Sequence, residues 1–356
     1  MTPLARHLGR LIRLAGPISV ARYMAEALAH PGQGYYANAR LGADGDFVTA
    51  PELSQMFGEL IGLALAESWQ ALGRPAPVRL VELGPGRGLL LHDLLRAARA
   101  VPGFLAAIDL HLVETSAALR AEQAERIARP AVWHDRLEQV PAGPLLLIAN
   151  EFFDALPVRQ FARSEAGWRE RLVGLDGEAF AFTLAPLALP IAALPERFAA
   201  LPPGRLAEVS SAREALMQGL AERLSRQGGV ALIADYGQQP YGVGDSLQAL
   251  SRQRKVAPLA SPGVADLTAQ VDFAGLAAAA RAAGAEVHGP VEQGAYLRAL
   301  GIGARAARLC REANPAQAQR IEAALARLTR PEQMGSLFKF LAVQSPGLPV
   351  PQGFVP

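Results

Sequence analysis

The stretch Val81-Glu82-Leu83-Gly84-Pro85-Gly86-Arg87-Gly88 decides the fold of this 356-residue chain. It follows an apolar run at 78–83 and precedes a helical pattern at 89–100, so it predicts a strand, a glycine turn and a helix. The three glycines leave the backbone open to a ligand because they carry no side chain. The first N–H groups of the following helix would point towards that ligand.

The spacing of these glycines separates two classes of ligand. The dinucleotide fingerprint G-x-G-x-x-G serves a pyrophosphate, whereas here the third glycine, Gly88, comes one residue early. Glu82 lies two residues before the first glycine, where a carboxylate suits a cationic ligand and would repel a pyrophosphate. This E-x-G-x-G-x-G pattern resembles the first motif of class I S-adenosylmethionine (SAM) dependent methyltransferases, whose cofactor carries an ammonium and a sulfonium. The simpler alternative is a glycine turn with a solvated glutamate.

Two further acids follow predicted strands. Glu114 ends the apolar run at 108–113 and precedes a helical pattern at 116–128. An acid at the end of the second strand commonly binds a ribose diol in SAM and NAD alike, so Glu114 predicts an adenosine without choosing between them; its alternative role is to cap the next helix. Asp135 follows the run at 131–134, where a polar residue can meet the adenine amino group, and a turn residue is the alternative.

The alternation of strand and helix patterns predicts an α/β fold with a doubly wound, mostly parallel sheet. The predicted strands are 78–83, 108–113, 131–134, 145–149 and 230–234, and the predicted helices are 18–29, 53–72, 89–100, 116–128, 211–227 and 273–283. A closing antiparallel hairpin, with strands near 286–288 and 337–344, would complete seven strands in the Rossmann-like arrangement of class I methyltransferases.

The rhythm of the pattern also predicts domain boundaries. Residues 1–77 look like a helical lid or substrate subdomain, and 78–344 like the methyltransferase domain. The span at about 158–207 interrupts the alternation after the fourth strand, so we expect an insertion that is partly β-hairpin. Residues 345–356 are rich in proline and glycine and predict a loose tail.

The composition excludes several classes of protein. Hydrophobic residues make up 51% and charged residues 19%, which is typical of a globular protein. The net charge of +2 and the lack of a block of like charge argue against nucleic-acid binding. No apolar run approaches about 20 residues, so no membrane insertion is predicted.

The cysteine and histidine content bears on the cellular compartment and on metal binding. The single cysteine, Cys310, excludes an internal disulfide and fits a reducing compartment. The six histidines are scattered without metal-ligand spacing, so we predict no metal site. We expect a cytoplasmic protein with little or no leader, or a mitochondrial matrix protein if the source is eukaryotic.

A second polar cluster follows the fourth predicted strand. The chain there reads Asn150-Glu151-Phe152-Phe153-Asp154, and ligands of open α/β sheets bind at the carboxyl ends of the strands. Paired carboxylates can hold a guanidinium through two parallel hydrogen bonds and accept the proton lost on methylation. Asn150, Glu151 and Asp154 are therefore the predicted acceptor-site and catalytic residues, with a polar loop that closes the sheet as the alternative.

These motifs together closely resemble the complex I (NADH dehydrogenase) assembly methyltransferase family, over about residues 16–343. The segments that carry the resemblance are 45–52, 57–59, 81–88, 150–157, 235–237, Gly263, 266–268, 293–294 and 334–335. The resemblance implies a class I fold and SAM-dependent N-methylation of an arginine in a protein substrate. In the mitochondrial members that substrate is a core subunit of complex I.

The resemblance also implies roles for individual residues. Glu82, Gly84, Pro85, Gly86 and Gly88 would bind the methionine end of SAM, Glu114 its ribose and Asp135 its adenine. Asn150, Glu151 and Asp154 would line the acceptor site; Asp46, Thr49 and Glu52 would form a lid; and Asp235 and Tyr236 would face the same cleft. For both Asp235 and Tyr236 a structural role is the alternative, which for Tyr236 means packing with a satisfied hydroxyl.

The sequence is compatible with two other functions. One is a non-catalytic assembly factor or scaffold that uses the apolar segment at 185–203 and the basic N-terminus to bind partners. The other is a nicotinamide dinucleotide oxidoreductase, against which the glycine spacing and Glu82 count. The apolar segment is also compatible with a homodimer, because such a surface needs a cover.

Overall fold

The structure is a computed structural model that describes residues 2–38 and 49–354. The chain forms two compact units. The first, which we call the auxiliary unit, comprises Met1–Phe47, Asp154–Ala215 and Gln238–Gly275; the second, the sheet unit, comprises Val48–Phe153, Leu216–Gly237 and Leu276–Pro356. Each unit has its own hydrophobic core.

Strands and helices alternate along much of the described chain. The strands are β1 (Ile18–Ser19), β2 (Val78–Leu83), β3 (Ile108–Val113), β4 (Val132–His134), β5 (Leu145–Asn150), β6 (Arg159–Ser164), β7 (Gly167–Asp176), β8 (Ala179–Leu184), β9 (Leu206–Val209), β10 (Gly229–Tyr236), β11 (Gln248–Ser251), β12 (Arg254–Val256), β13 (Asp266–Thr268), β14 (Glu286–Glu292) and β15 (Phe338–Gln344). The helices are α1 (Pro3–Ala15), α2 (Val20–Ala29), α3 (Tyr35–Asn38), α4 (Ala50–Leu53), α5 (Gln55–Ala71), α6 (Leu89–Ala98), α7 (Phe104–Ala107), α8 (Ala117–Ile127), α9 (Ser211–Gln227), α10 (Phe273–Ala282), α11 (Gln293–Ala299), α12 (Ile302–Glu312) and α13 (Pro315–Thr329).

The sheet unit is built on a mixed, mainly parallel sheet. Its described strands follow the order β14-β15-β10-β5-β2-β3-β4. Five of them, from β10 to β4, are parallel, and β15 is antiparallel to both of its neighbours. The residues of β5 and β10 are buried throughout, which explains their continuous apolar runs. The predicted α/β class with a mainly parallel sheet is confirmed.

The register of the sheet brings the carboxyl ends of its central strands level. Leu83 at the end of β2 pairs with Val113 of β3 and with Ala149 of β5. Asn150 at the end of β5 pairs with Ala234 near the end of β10. Side chains that follow β2, β3, β5 and β10 therefore emerge at one edge of the sheet.

The predicted closing hairpin is wrong in its connection. β14 and β15 do pair antiparallel, but α11, α12 and α13 lie between them in the chain. The sequence pattern shows which segments can be strands, whereas sheet neighbours need not be consecutive in sequence. Cys310 lies on α12.

The domain boundary predicted at residue 77 differs from the one in the structure. Helix α5 belongs to the sheet unit because it packs closely on α6. A Cβ at Gly58 would lie 2.7 Å from the Leu90 carbonyl oxygen, and one at Gly62 would lie 2.8 Å from the Leu94 carbonyl oxygen. Two glycines one turn apart thus form the surface on which α6 rests. Residues 238–275 in turn join the auxiliary unit.

The auxiliary unit contains two small sheets. One has the order β1-β7-β6-β9 with β8 on β7, and the other the order β12-β11-β13. The predicted helix at 18–29 begins two residues later, since Ile18 and Ser19 pair with β7. The Ser19 hydroxyl then caps α2 by accepting a 3.0 Å hydrogen bond from the N–H of Arg22.

The C-terminal segment is packed as far as residue 354, contrary to the loose tail that was predicted. Phe354 is 8% exposed, and its ring centroid lies 5.1 Å from that of Tyr296, which stacks at 4.1 Å on Phe340. This packing, together with the 3.1 Å hydrogen bond from the N–H of Gly347 to Oε1 of Glu286, fixes a segment whose proline and glycine content suggested mobility. Among the helices of the described residues, none has the length and apolar character needed to cross a bilayer.

Candidate active site

The glycine loop has the predicted strand, turn and helix. Gly84 follows β2 with a φ of +59°, and its N–H donates a 3.0 Å hydrogen bond to the carbonyl of Val113. Gly88 caps α6 with a φ of +75°, and its N–H donates to the carbonyl of Pro85 at 2.8 Å. Both φ angles fall in the left-handed region, which glycine adopts without strain. The backbone between β2 and α6 therefore folds into a tight loop.

An aromatic ring covers the first glycine of this loop. A Cβ built on Gly84 would lie 2.8 Å from Cδ2 of Phe152, so the ring occupies the space that any side chain would fill. Phe152 follows β5, and its ring meets that of Phe153 edge to face at 5.8 Å. The absence of a Cβ at Gly84 thus lets the segment after β5 approach the glycine loop.

Glu82 is a buried carboxylate with an unsatisfied oxygen. It lies on β2, is 3% exposed, and its Oε2 has no hydrogen-bond partner among the described residues. Burial raises the pKa of Glu82 to about 8. A buried carboxylate is costly to ionise unless a cation or a donor meets it. The site is therefore suited to a ligand that brings a positive charge.

Glu114 is held by the helix that follows it. Its Oε1 accepts a 2.8 Å hydrogen bond from the N–H of Ser116, and its Oε2 accepts one of 3.3 Å from Nε2 of Gln123. Burial raises the pKa of Glu114, while the bonds from Ser116 and Gln123 oppose that rise. Part of its hydrogen-bonding capacity thus serves the start of α8, in agreement with the capping alternative, and each oxygen keeps further acceptor capacity.

Gln123, which the sequence motifs did not identify, connects the two halves of the predicted cofactor site. Its Nε2 donates to the carbonyl of Gly86 at 2.7 Å as well as to Glu114, and its Oε1 accepts from Nε1 of Trp133 at 2.8 Å. It is fully buried on α8, one turn from both Leu119 and Ile127. A glutamine on an otherwise apolar stripe is the signal that would have identified it.

Asp135 lies on the surface and binds an arginine. Its Oδ1 is 2.6 Å from Nη2 of Arg120, and its side chain is 64% exposed. Its N–H donates a 2.8 Å hydrogen bond to Oε1 of Gln139. These bonds are those of a turn residue, which was the alternative for this position.

Asn150 and Glu151 stand at the end of β5. Glu151 has a φ of +50°, which is uncommon for a residue with a side chain and costs energy. Its N–H donates to the carbonyl of Ala234 at 2.9 Å, and its Oε1 accepts 3.2 Å hydrogen bonds from the N–H of Ala50 and from Nδ2 of Asn150. The backbone turns sharply here, and the strain marks Glu151 as a candidate functional residue.

The predicted lid is described only in part. Asp46 lies outside the described residues. Thr49 directly precedes α4, and Glu52 lies within it. The first N–H of this helix, that of Ala50, donates a hydrogen bond to Glu151. Glu52 lies 3.6 Å from Arg87 of the glycine loop, whose Nε also binds Glu122 at 2.7 Å. Burial raises the pKa of Glu52, and Arg87 opposes that rise. Arg87, to which the sequence motifs assigned no role, thus links α4 to the glycine loop.

Asp235 and Tyr236 at the end of β10 make mainly structural contacts. Asp235 is fully buried, its Oδ2 accepts a 2.9 Å hydrogen bond from the N–H of Phe153, and its Oδ1 accepts one of 2.9 Å from the N–H of Tyr236. The Tyr236 ring packs at 5.8 Å on Phe338, in agreement with the packing alternative. Asp235 therefore positions the segment that carries Glu151.

Asp154 belongs to the auxiliary unit, whereas the other predicted acceptor-site residues belong to the sheet unit. Asp154 is 6% exposed, and its backbone carbonyl accepts 3.0 Å hydrogen bonds from Nη2 of Arg213 and from the N–H of Ala269. The backbone of Asp154 is thus anchored within the auxiliary unit.

Known proteins are similar to this chain over most of its length. A sequence model of S-adenosyl-L-methionine-dependent methyltransferases matches residues 60–291. The protein arginine methyltransferase NDUFAF7 of Mus musculus, named as mitochondrial, is 38% identical over 96% of this chain and 84% of its own. The Homo sapiens protein of the same name is 36% identical over 96% of this chain and 83% of its own.

Two crystal structures from Burkholderia thailandensis are also similar. A superfamily member bound to S-adenosyl-homocysteine has a TM-score of 0.84 and 31% identity, and covers 98% of this chain and 93% of its own. A native structure has a TM-score of 0.82 and 32% identity, with the same coverage.

Proposed function

Because this chain belongs to the family of S-adenosyl-L-methionine-dependent methyltransferases, we propose that it methylates an arginine side chain of a protein. The chain is an enzyme with SAM as its cofactor. The choice of arginine as acceptor is supported by the names of the relatives and by Glu151, a strained acid that directly precedes Phe152, the residue whose ring covers Gly84. The strained backbone of Glu151 at the end of β5 is the observation on which the proposal chiefly rests.

The residues of the glycine loop fit the cofactor. SAM when bound supplies an electrophilic methyl group on a sulfonium, together with an ammonium and a carboxylate. Oε2 of Glu82, which no described residue satisfies, would meet the ammonium, and the loop from Gly84 to Gly88 would hold the methionine end. The remaining acceptor capacity of Glu114 would serve the ribose hydroxyls. Asp135 is the candidate for the adenine amino group, on its place after β4 alone.

The acceptor side needs a group that orients a guanidinium and takes its proton. Methylation forms an N–C bond as the S–C bond breaks, and one N–H proton must leave so that the product stays a monocation. The Glu151 carboxylate takes that proton, and the amide of Asn150 together with the N–H of Ala50 holds Oε1 in place. Asp154 remains a further candidate because it follows Glu151 by three residues.

The lid and the substrate extend the same proposal. Thr49 and Glu52 border the acceptor side, because α4 contacts Glu151. Asp46, the third predicted lid residue, lies outside the described residues. The protein substrate is a subunit of complex I, by the resemblance of the motifs. The compartment follows the source of the chain: the relatives are named as mitochondrial, and a bacterial protein would act in the cytoplasm. The exposed leucines of the insertion, of which Leu187 is 80% exposed, are compatible with a homodimer.

Transfer of a labelled methyl group tests the proposal. The purified chain is incubated with SAM that carries a CD₃ group and with protein from cells that lack this chain, and the products are mapped by mass spectrometry. We expect the label on arginine nitrogen, and none with a Glu82→Ala variant. Label on lysine or on a carboxylate alone would contradict arginine as the acceptor.

The scaffold hypothesis is distinguished by complementation. A scaffold that kept the fold needs no cofactor, so Glu82→Ala would restore assembly of the partner complex as well as the wild type does. The methyltransferase needs its cofactor, so the same variant would fail although it is folded. The buried Oε2 of Glu82, which has no hydrogen-bond partner in the described part of the chain, favours the enzyme, because a scaffold gains nothing from the cost of burying it.

A further inference from the structure

We propose that His7, Glu26 and His30 form a binding site for a divalent metal ion of the zinc type in the auxiliary unit. His7 lies on α1, Glu26 lies on α2, and His30 is the residue that ends α2. One ligand atom from each side chain lies within 4.8 Å of the other two. All three residues belong to the auxiliary unit, whereas Glu151 and the residues proposed to hold SAM belong to the sheet unit.

No sequence motif marks this site, because His7 is distant in the chain from the other two members. Glu26 and His30 are four residues apart, so they share one face of α2. His7 is added only when α1 and α2 pack together, through a core that includes Leu8 and Met24. The prediction of no metal site rests on the spacing of the histidines in the sequence, and that spacing does not show how α1 and α2 pack.

The hydrogen bond of His30 prepares the ring for a metal. Nδ1 of His30 lies 2.9 Å from the carbonyl oxygen of Pro31. A carbonyl only accepts, so Nδ1 carries a proton, and in the neutral imidazole Nε2 keeps its lone pair. Histidines that bind metal commonly donate their other ring N–H to a backbone carbonyl in this way, which fixes the tautomer and the direction of the ring.

The other two side chains complete an open ligand set. The rings of His7 and His30 have centroids 5.4 Å apart and meet edge to face at 66°. All three side chains are partly exposed, so an ion can reach them and water can complete its coordination. Two imidazoles and one carboxylate are a ligand set that zinc accepts, whereas magnesium and calcium prefer oxygen ligands.

One cation competes for the carboxylate. Arg22 Nη2 lies 2.6 Å from Oε1 of Glu26, and the Arg22 side chain is 59% exposed. An exposed ion pair one helical turn apart contributes little, so a divalent ion with two imidazole ligands outcompetes it. The carboxylate also has two oxygens, so one can bind the ion while the other keeps Arg22.

A metal ion bound at this site would link α1 to α2. Metal that binds the folded state and not the unfolded one stabilises the protein by mass action. Because the ligands come from both helices, the ion would hold the first helix of the chain against the second. The auxiliary unit should then unfold at a higher temperature with metal than without it.

Titration of the untagged, chelator-treated chain with zinc tests the proposal. We expect one ion per chain with a micromolar dissociation constant, and a loss of affinity of at least about tenfold for His7→Ala and for His30→Ala. Glu26→Gln should weaken binding less, because two imidazoles remain. His92→Ala is the matched control, since His92 also places Nδ1 near a backbone carbonyl, at 3.1 Å, but is not part of the group.

A second measurement covers the case in which a variant fails to fold. X-ray absorption of the wild-type zinc complex should show nitrogen and oxygen ligands at about 2.0–2.2 Å and no sulfur. A sulfur ligand would point to Cys310 and overturn the proposal. So would zinc binding that is unchanged in His7→Ala and His30→Ala, or wild-type protein that takes up no zinc at micromolar concentration.

Discussion

The backbone N–H of Phe153 donates a 2.9 Å hydrogen bond to the fully buried carboxylate of Asp235. The other oxygen of that carboxylate accepts the N–H of Tyr236 at 2.9 Å. One side chain at the end of β10 thereby fixes the segment that follows β5, two residues after Glu151. The position of the proposed proton acceptor depends on this bond, although Asp235 itself makes mainly structural contacts.

Replacing Asp235 by asparagine should destabilise the fold. An amide has one oxygen, so either Phe153 or Tyr236 would face an NH₂ group and lose its acceptor. A buried donor left unsatisfied costs about 1–3 kcal/mol, which urea denaturation monitored by circular dichroism can measure. Asp176→Asn, the same change at an exposed acid, is the control. Equal stability of the two variants would show that Asp235 does not hold the segment.

Alanine at Gly84 should cost more than alanine at Gly88. Both glycines have positive φ, so each substitution carries about 1–2 kcal/mol of backbone strain. At Gly84 the new methyl group would also meet Phe152 at 2.8 Å, whereas at Gly88 the nearest atoms are 3.5 Å away. Thermal unfolding of the two variants separates strain from collision. If Gly84→Ala is no less stable than Gly88→Ala, Phe152 does not pack on the loop as described.

Replacing Glu151 by glutamine should remove catalysis and spare the binding of cofactor. Glutamine keeps an oxygen for the N–H of Ala50 but cannot take a proton from a guanidinium. We expect kcat to fall by about 100-fold or more. The dissociation constant of SAM should change little, because Glu151 is not among the residues proposed to hold it.

Steady-state kinetics and a binding titration check this prediction, with Glu165→Gln at an exposed acid as the control. A Glu151→Gln enzyme with wild-type kcat would exclude Glu151 as the proton acceptor and leave Asp154 as the next candidate.

The affinity for SAM should rise with pH because of Glu82. Burial holds the pKa of this carboxyl at about 8 in the free protein, and a bound ammonium would lower it. Binding then releases up to one proton below pH 8, so affinity increases by up to about tenfold per pH unit as the pH rises towards 8. Above about pH 8 affinity falls again, because the α-amino group of SAM loses its proton there and no longer offers Glu82 a positive charge.

Titrations of SAM between pH 6 and about 9, repeated with Glu82→Gln, measure this dependence. Glutamine cannot ionise, so the variant reports only the titration of SAM itself and should bind more weakly at pH 8. Parallel pH profiles for the two proteins would mean that Glu82 does not change its charge when the cofactor binds.

The features predicted correctly from sequence are those that neighbouring residues determine. The strand, turn and helix around Gly84–Gly88 follow from an apolar run, three glycines and a helical pattern that lie side by side. The contacts that were missed join distant positions: Gln123 to Gly86 across 37 residues, and Phe153 to Asp235 across 82. The pairing of two side chains so far apart is decided by packing, which no local pattern contains.

The errors have the same origin. The boundary at residue 77 was placed where prolines interrupt the pattern, but the close packing of α5 on α6 assigns that helix to the sheet unit. The C-terminal segment was expected to be loose from its composition, but the buried ring of Phe354 packs on Tyr296 and the N–H of Gly347 donates to Glu286. Composition describes the average tendency of a segment, whereas a few specific contacts can determine its structure.

Isothermal titration of the purified chain with SAM, and in parallel with NADH, tests the central claim most directly. We expect micromolar binding of SAM, no binding of NADH, and a loss of affinity of at least about tenfold, or about 1.4 kcal/mol, for Glu82→Ala and for Glu114→Ala. Tight binding of NADH without SAM, or SAM binding that neither substitution weakens, would contradict a SAM site at Glu82 and Glu114.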